Sequence, residues 1–429
     1  MTQTEDLTIA IGNKPALLGG SKVFPEPLPR YISTSHRETE AALRVLETGI
    51  LSDYIGAASP YFMGGEQVRT LETQWAEYFG VRHALSVNSA TSGLHAAVVA
   101  AGVGLGDEVI VPSQTMSATA TAVVMANGIP VFVDREEATC CIDPEAVERA
   151  ISERTKAIVA VNLFGGPAQV IRLREIADRA GLILIEDNAQ APAGKHQGRL
   201  LGTIAHLGVF SLNCHKTIQC GEGGIVVTDD DRLARRVALV RNHGENAIEA
   251  ENWYEDLDIV GYNYRLTELQ AAIAQVQLQR LEELTAPRIE IAQALDRRLS
   301  EFPALRTDRV APGDRHVYYT YPIWIDPQKA GLSRDRFVQA LQAEGCPIAG
   351  RYVRPLYRLP LFQKLQQEGK ARIAHSTRTC PRAEMAYGET LSYTTLIQMP
   401  GGIELVDRFV EAVAKVLAHA EELSQGQVS

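Results

Sequence analysis

The chain has 429 residues, 45% of them hydrophobic and 22% charged, with a formal net charge of -10. That length suggests two or three domains and buries a large core without covalent staples. The acidic balance argues against a nucleic-acid partner, which would need a clustered basic face.

The six cysteines, Cys140, Cys141, Cys214, Cys220, Cys346 and Cys380, form no C-x-x-C pair, and no histidine pair completes a zinc pattern. No metal site is expected, and the thiols read as buried groups of a reducing compartment. The N-terminal "MTQTEDLTIAIGNK" has neither a basic start nor a long apolar run, so it is not read as a secretory signal. No stretch reaches the roughly 18 consecutive apolar residues of a membrane span. A cytoplasmic location with no membrane partner is expected.

Residues 1–60 form an N-terminal segment: a Pro-rich "FPEPLPRY", then the helical pattern "RETEAALRVLETG" closed by Gly49. Residues 61–285 then alternate helices with short apolar runs. "VRTLETQWAEYFG" is an amphipathic helix ending at Gly80. "HALSVNSATSGLHAAVVAAGVG" reads as a strand, a polar turn and a helix. "DEVIVPS" and "IPVFVD" are strands around the helix "SATATAVVMANG", and "DPEAVERAIS" opens with the proline and acidic residues of a helix start. "KAIVAVNLFG" and "GLILIEDNAQ", with the helix "VIRLREIADRAG" between them, are continuous apolar runs of the kind found in parallel strands buried on both faces. "HLGVFSLN" and "GGIVVTDD" add two strands. This alternation implies an α/β domain with a mostly parallel, helix-covered sheet.

A long helical stretch from "GYNYRLTELQAAIAQVQLQRLEEL", interrupted near Pro287, leads into residues 286–429, a smaller α+β domain. Its elements are the strand "HVYYTYPIWID", the helix "SRDRFVQALQAEG" and the terminal helix "DRFVEAVAKVLAHAEEL".

Ligands of open parallel sheets bind beyond the carboxyl ends of the strands, and four polar clusters fall there. "NSATSGL" puts small residues at a helix start, where free N–H groups and the helix dipole suit a phosphate; a plain cap by Ser89 or Thr91 fits equally. Asp187, in "IEDNAQ", closes a buried strand and needs a partner: a protonated pyridine nitrogen, an ion pair or a helix start. Ser211 and Asn213 precede Lys216 in "SLNCHKTIQCGEGG". A hydroxyl there can hold a phosphate, and a lysine beyond it can reach an aldehyde, although most lysines are solvated surface charges. Asn263 and Arg265, in "GYNYRLTE", precede a helix that Thr267 and Glu268 could cap. Together the clusters supply the parts that pyridoxal 5'-phosphate (PLP) needs: a phosphate cradle, an acid for the ring nitrogen and a lysine for C4'.

The pieces "VNSATSGLHAA", "LILIEDNAQAPAG", "FSLNCHKTIQCGEGGIVVT" and "GYNYRLTELQAAI" resemble, in this order, the sugar aminotransferases of the DegT/StrS family, fold type I PLP enzymes. The resemblance spans roughly residues 40–400 and implies the following roles. Lys216 holds PLP as a Schiff base and moves the proton between Cα and C4'. Asp187 pairs with the pyridinium nitrogen, and Gln190 contacts the ring or its O3'. Ala90, Thr91, Ser211 and Asn213 bind the cofactor, chiefly its phosphate, and Asn263 reaches the phosphate of a partner protomer in a homodimer with shared sites. Met116 stands where many relatives carry an aromatic that stacks on the ring, and is expected to pack there as a polarizable apolar surface. His215 is a second departure, beside the lysine.

The implied activity is transfer of an amino group from glutamate or glutamine to a ketone of a nucleotide-linked keto-sugar, or alternatively of a ketocyclitol. A PLP-dependent dehydratase and a non-catalytic PLP-binding regulator are weaker readings, since Lys216 is present and no DNA-binding motif is attached. Arg265 and Arg351 are the candidate substrate contacts. Arg351, Arg354 and Arg358 interleave with tyrosines in "GRYVRPLYRLPLF", which fits an anion site or a solvated face.

Overall fold

The computed structural model describes residues 13–374, 379–399 and 401–425, so most of the N-terminal stretch examined above for a signal lies outside the described residues. The strands are β1 (His83–Val87), β2 (Glu108–Pro112), β3 (Ile129–Val133), β4 (Thr155–Val161), β5 (Ile183–Asp187), β6 (Leu207–Ser211), β7 (Gly224–Thr228), β8 (Leu305–Arg306), β9 (Tyr321–Ile325), β10 (Ile348–Gly350), β11 (Arg372–Ile373) and β12 (Leu391–Thr394). A two-stranded ribbon at residues 195–200 is additional.

The large sheet has the order β1-β7-β6-β5-β4-β2-β3-β11. Its neighbours pair in parallel except at β7, which runs antiparallel to both β1 and β6. The reason is local: residues 212–223 join β6 to β7 without a helix, and a parallel neighbour needs a crossover, usually helical. The continuous apolar runs behave as expected, with β2, β6 and β7 buried along their whole length.

The main helices are α1 (His36–Thr48), α2 (Glu66–Phe79), α3 (Ala90–Ala100), α4 (Ala118–Met125), α5 (Pro144–Ala150), α6 (Val170–Ala180), α7 (Asp231–Arg241), α8 (Glu268–Gln279), α9 (Leu281–Leu299), α10 (Arg334–Ala343) and α11 (Gly402–Ala418). Ser35 and Glu38 form a capping box at the start of α1, and Gly49 and Gly80 end α1 and α2 in the left-handed region.

The break expected near Pro287 falls instead at Arg280, between α8 and α9. The Arg280 guanidinium is tied to Glu38 and Glu283 and to the Ser33 carbonyl, which anchors the chain there. Pro287 lies inside α9, where the Thr285 hydroxyl donates to the Leu281 carbonyl at 2.7 Å.

The small antiparallel sheet has the order β8-β9-β12-β10 and packs with α9, α10 and α11. Two segments pack away from their sequence neighbours. Phe24, from the N-terminal segment, enters the core of the small sheet. Leu356, Tyr357, Phe362 and Ala371 join the core of the large sheet, where β11 extends its edge.

A buried ion pair fastens β1 to its surroundings. Arg241 of α7 is fully buried; its Nη1 donates to Glu72 Oε1 at 2.5 Å and to the Ser86 carbonyl at 3.1 Å. The same Glu72 oxygen accepts from the Ser86 N–H at 2.7 Å and hydroxyl at 2.8 Å. Removing one member leaves a buried charge uncompensated. Glu72→Ala is expected to lower stability by about 3–5 kcal/mol in urea unfolding, whereas replacing an exposed acid such as Glu77 leaves the midpoint nearly unchanged.

Candidate active site

The connection between β6 and β7 presents Lys216. Its turn is built by Asn213, whose carbonyl accepts the Lys216 N–H at 2.9 Å, whose Oδ1 accepts the His215 N–H at 3.1 Å and whose Nδ2 donates to Glu222 at 2.9 Å. The Asn213 side chain is thus spent on the shape of the lysine loop. His215 is exposed, whereas the Lys216 ammonium lies 4.6 Å from the centre of the Tyr319 ring. Burial lowers the lysine pKa from its ordinary value, partly opposed by the negative charge of Asp187.

Asp187 ends β5, the strand beside β6, and is buried. Its carboxylate accepts from Thr119 Oγ1 at 3.2 Å and from the Ala189 N–H at 3.1 Å. Burial raises its pKa, while the Ala189 N–H, Lys216 and Thr119 pull it down. Thr119 comes from the first turns of α4, three residues beyond the exposed Met116.

The first cluster opens α3. Ser89 is the cap: its hydroxyl accepts the Ser92 N–H at 3.1 Å. The amides of Ala90 and Thr91 stand in the first turn, where no intrahelical acceptor exists. Gly224 lets β7 pass close by, since a Cβ there would fall 2.8 Å from the Ala90 nitrogen. Ser211, at the end of β6, pairs with Gly224 across the hairpin and is buried. The main chain around Asn263 adjoins the same turn: Asn88 Nδ2 donates to the Asn263 carbonyl at 3.4 Å and the Asn88 N–H to the Tyr264 carbonyl at 2.8 Å. The Asn263 side chain is exposed and accepts from Arg265 Nε at 2.7 Å.

Gln190 is held from both ends. Its Oε1 accepts the Phe164 N–H at 2.7 Å and its Nε2 donates to the Tyr352 hydroxyl at 2.8 Å. The Tyr319 backbone is docked on the same loop, donating to the Phe164 carbonyl at 2.7 Å. Gly165 makes this approach possible: it has φ +96°, and a Cβ there would fall 2.8 Å from the Tyr318 and Tyr319 nitrogens.

Arg351 is placed elsewhere. It pairs with Asp335 at the start of α10 and lies over the Tyr387 ring. Arg358 is paired with Glu384. Thr119, Tyr319 and Tyr352 were missed by sequence reasoning. Thr119 stood within a helix reading as core; the "YY" beside Tyr319 and the "RY" of Tyr352 were the available signals.

The residues present fit PLP. Free first-turn amides beside a glycine-lined strand suit a phosphate. A buried carboxylate carrying a hydroxyl and an amide donor suits a protonated ring nitrogen, and a desolvated lysine stands nearby.

Residues 56–386 match the model of the DegT/DnrJ/EryC1/StrS aminotransferase family. Among solved structures, the aminotransferase from Psychrobacter cryohalolentis is 28% identical with a TM-score of 0.80, covering 92% of this chain and 100% of its own. DesI, solved in the presence of its TDP-sugar product, is 27% identical with a TM-score of 0.80, over 97% of this chain and 99% of its own. DesV from S. venezuelae, solved with a ketimine intermediate, is 31% identical with a TM-score of 0.74, over 88% and 94%. The fold and site define a fold type I PLP-dependent aminotransferase, and the chain belongs to the DegT/DnrJ/EryC1/StrS family.

Asp187→Asn is expected to lower steady-state transamination by roughly 10²-fold or more, the scale of a lost charge stabilisation. Thr119→Val should lower it by about 10-fold through loss of one hydrogen bond to that carboxylate, with Thr119→Ser close to the unaltered enzyme.

Proposed function

We propose that the enzyme moves an amino group from glutamate or glutamine to a ketone of a nucleotide-linked keto-sugar, with Lys216 as the Schiff-base lysine and proton carrier. The observation that carries this reading is that a partly buried lysine and a buried carboxylate lie at the carboxyl ends of two adjacent strands. The likeness to DesI, solved with a TDP-sugar product, supports a nucleotide-linked acceptor. When bound, PLP supplies an electron sink for the bond broken at the donor Cα. Lys216 would be the group that takes up and returns the proton, and its lowered pKa favours the free amine that accepts it. Asp187 keeps the ring nitrogen protonated. Ala90, Thr91 and Ser211 would hold the phosphate, Met116 would pack against the ring, and Gln190 would orient it. Arg265, whose Nε donates to Asn263, would be a contact for the acceptor.

The unpaired cysteines suit a reducing, cytoplasmic setting. Among the described residues no helix is long and apolar enough to cross a membrane.

The test mixes purified protein in its pyridoxamine form with nucleotide keto-sugars and, separately, with inososes, and follows loss of the pyridoxamine spectrum. Nucleotide keto-sugars are expected to discharge it; discharge by inososes alone would move the assignment to a ketocyclitol. Borohydride reduction of the PLP form should label Lys216, and a label on another lysine would overturn its role.

A homodimer with shared sites is the second part of the proposal. Leu51, Ile55 and Val260 are exposed apolar side chains close to Asn263: the Ile55 carbonyl accepts from Asn242, which forms a β-bridge with Asn263. Covering such a surface by a second copy would place Asn263 at the interface. Lys216→Ala and Asn263→Glu are each expected to be inactive, and activity should partly return after subunit exchange, because one site of the mixed dimer carries neither change. Exchange without recovery would confine Asn263 to its own chain.

A further inference from the structure

Arg288, on α9, is 2% exposed, and among the described residues none of its three guanidinium nitrogens makes a well-formed hydrogen bond; the Tyr31 side chain is the polar group beside it. An unpartnered buried charge is costly, and a native structure that keeps one calls for a reason. Burial lowers its pKa; the nearby Tyr31 and Tyr319 hydroxyls offset this in part. The guanidinium lies 5.1 Å from the centre of the Tyr31 ring.

It lines a cavity of about 360 Å³ with Tyr31, Gln398 and Met399. Gln398 Nε2 donates to the Tyr319 carbonyl at 2.7 Å, and the Tyr319 ring faces the Lys216 ammonium. Arg288 therefore stands behind the aromatic side chain that borders the reactive lysine. Two acids also line the cavity, but Glu283 is paired with Arg280 and Glu290 is exposed.

We propose that Arg288 receives a carboxylate of the amino donor, whose amino end then reaches past Tyr319 toward Lys216. The proposal rests on the aminotransferase reading above. A guanidinium forms two parallel hydrogen bonds with a carboxylate, which would satisfy the empty donors. The cavity lies at the small end of ligand pockets, which favours an amino acid over a nucleoside diphosphate.

The experiment uses the holoenzyme and glutarate, a dicarboxylate with no amino group to transfer, in calorimetric titration. Arg288→Leu is expected to weaken glutarate binding about 10- to 100-fold, with Arg288→Lys losing less. In single-turnover conversion to the pyridoxamine form, the half-saturating glutamate concentration should rise by a similar factor while the limiting rate stays within a few-fold. Without ligand, Arg288→Leu should melt no lower than the unaltered enzyme, since an unpaired buried charge has been removed. Unchanged glutarate affinity in folded Arg288→Leu overturns the proposal. So does a defect confined to the keto-sugar half-reaction, which would assign Arg288 to the acceptor, or a fall in melting temperature with donor affinity intact, which would make it structural. If the unaltered enzyme is converted by no amino donor, the aminotransferase reading fails, while the glutarate titration still decides whether Arg288 binds a carboxylate.

Discussion

Two opposite charges kept from water at the ends of neighbouring strands organise this molecule. Asp187 closes β5, and Lys216 follows β6 in a loop that returns as β7. Burial disfavours the charged form of each, and each favours the charged form of the other. Such a balance is useful only if both groups are held at a fixed separation, and several contacts around the large sheet serve that end. Asn213 shapes the lysine turn, Thr119 and Ala189 steady the carboxylate, and Gly224 brings the opening of α3 against the hairpin.

The same economy appears around the site. Gln190 joins the Phe164 loop to Tyr352, and the Phe164 loop in turn seats Tyr319 beside the lysine. Phe164 and Tyr352 meet edge to face. One wall of the site is therefore carried by the large sheet and the other by residues next to the small-sheet strands, joined by the Gln190 side chain, a backbone hydrogen bond and ring contact. The buried Arg241–Glu72 pair does the equivalent work at β1, immediately before the cradle.

The strand-end clusters were readable one by one because each is local: a polar run after an apolar strand and before a helix start. Their meaning depended on being taken together, and the family resemblance supplied that order. Asn213 shows the limit. Its position between Ser211 and Lys216 suggested a cofactor contact, yet its side chain is committed to Glu222 and His215. Pro287 shows another: a proline rule predicts a break, but α9 continues past it, and the chain bends at Arg280, where long-range ion pairs hold it.

Hydrophobic periodicity, caps and glycine stops determined the elements, and the clusters around Ala90, Asp187, Ser211, Lys216 and Asn263, taken in chain order, pointed to the class of chemistry, because each of these signals is carried by a few neighbouring residues. Tertiary structure alone decided that Thr119 donates to Asp187, that Tyr319 faces Lys216 and that Arg288 is buried beside Tyr31. Each of these joins positions far apart in sequence, and what brings them together is the packing of two cores and the burial of charge, quantities that no local pattern of residues encodes.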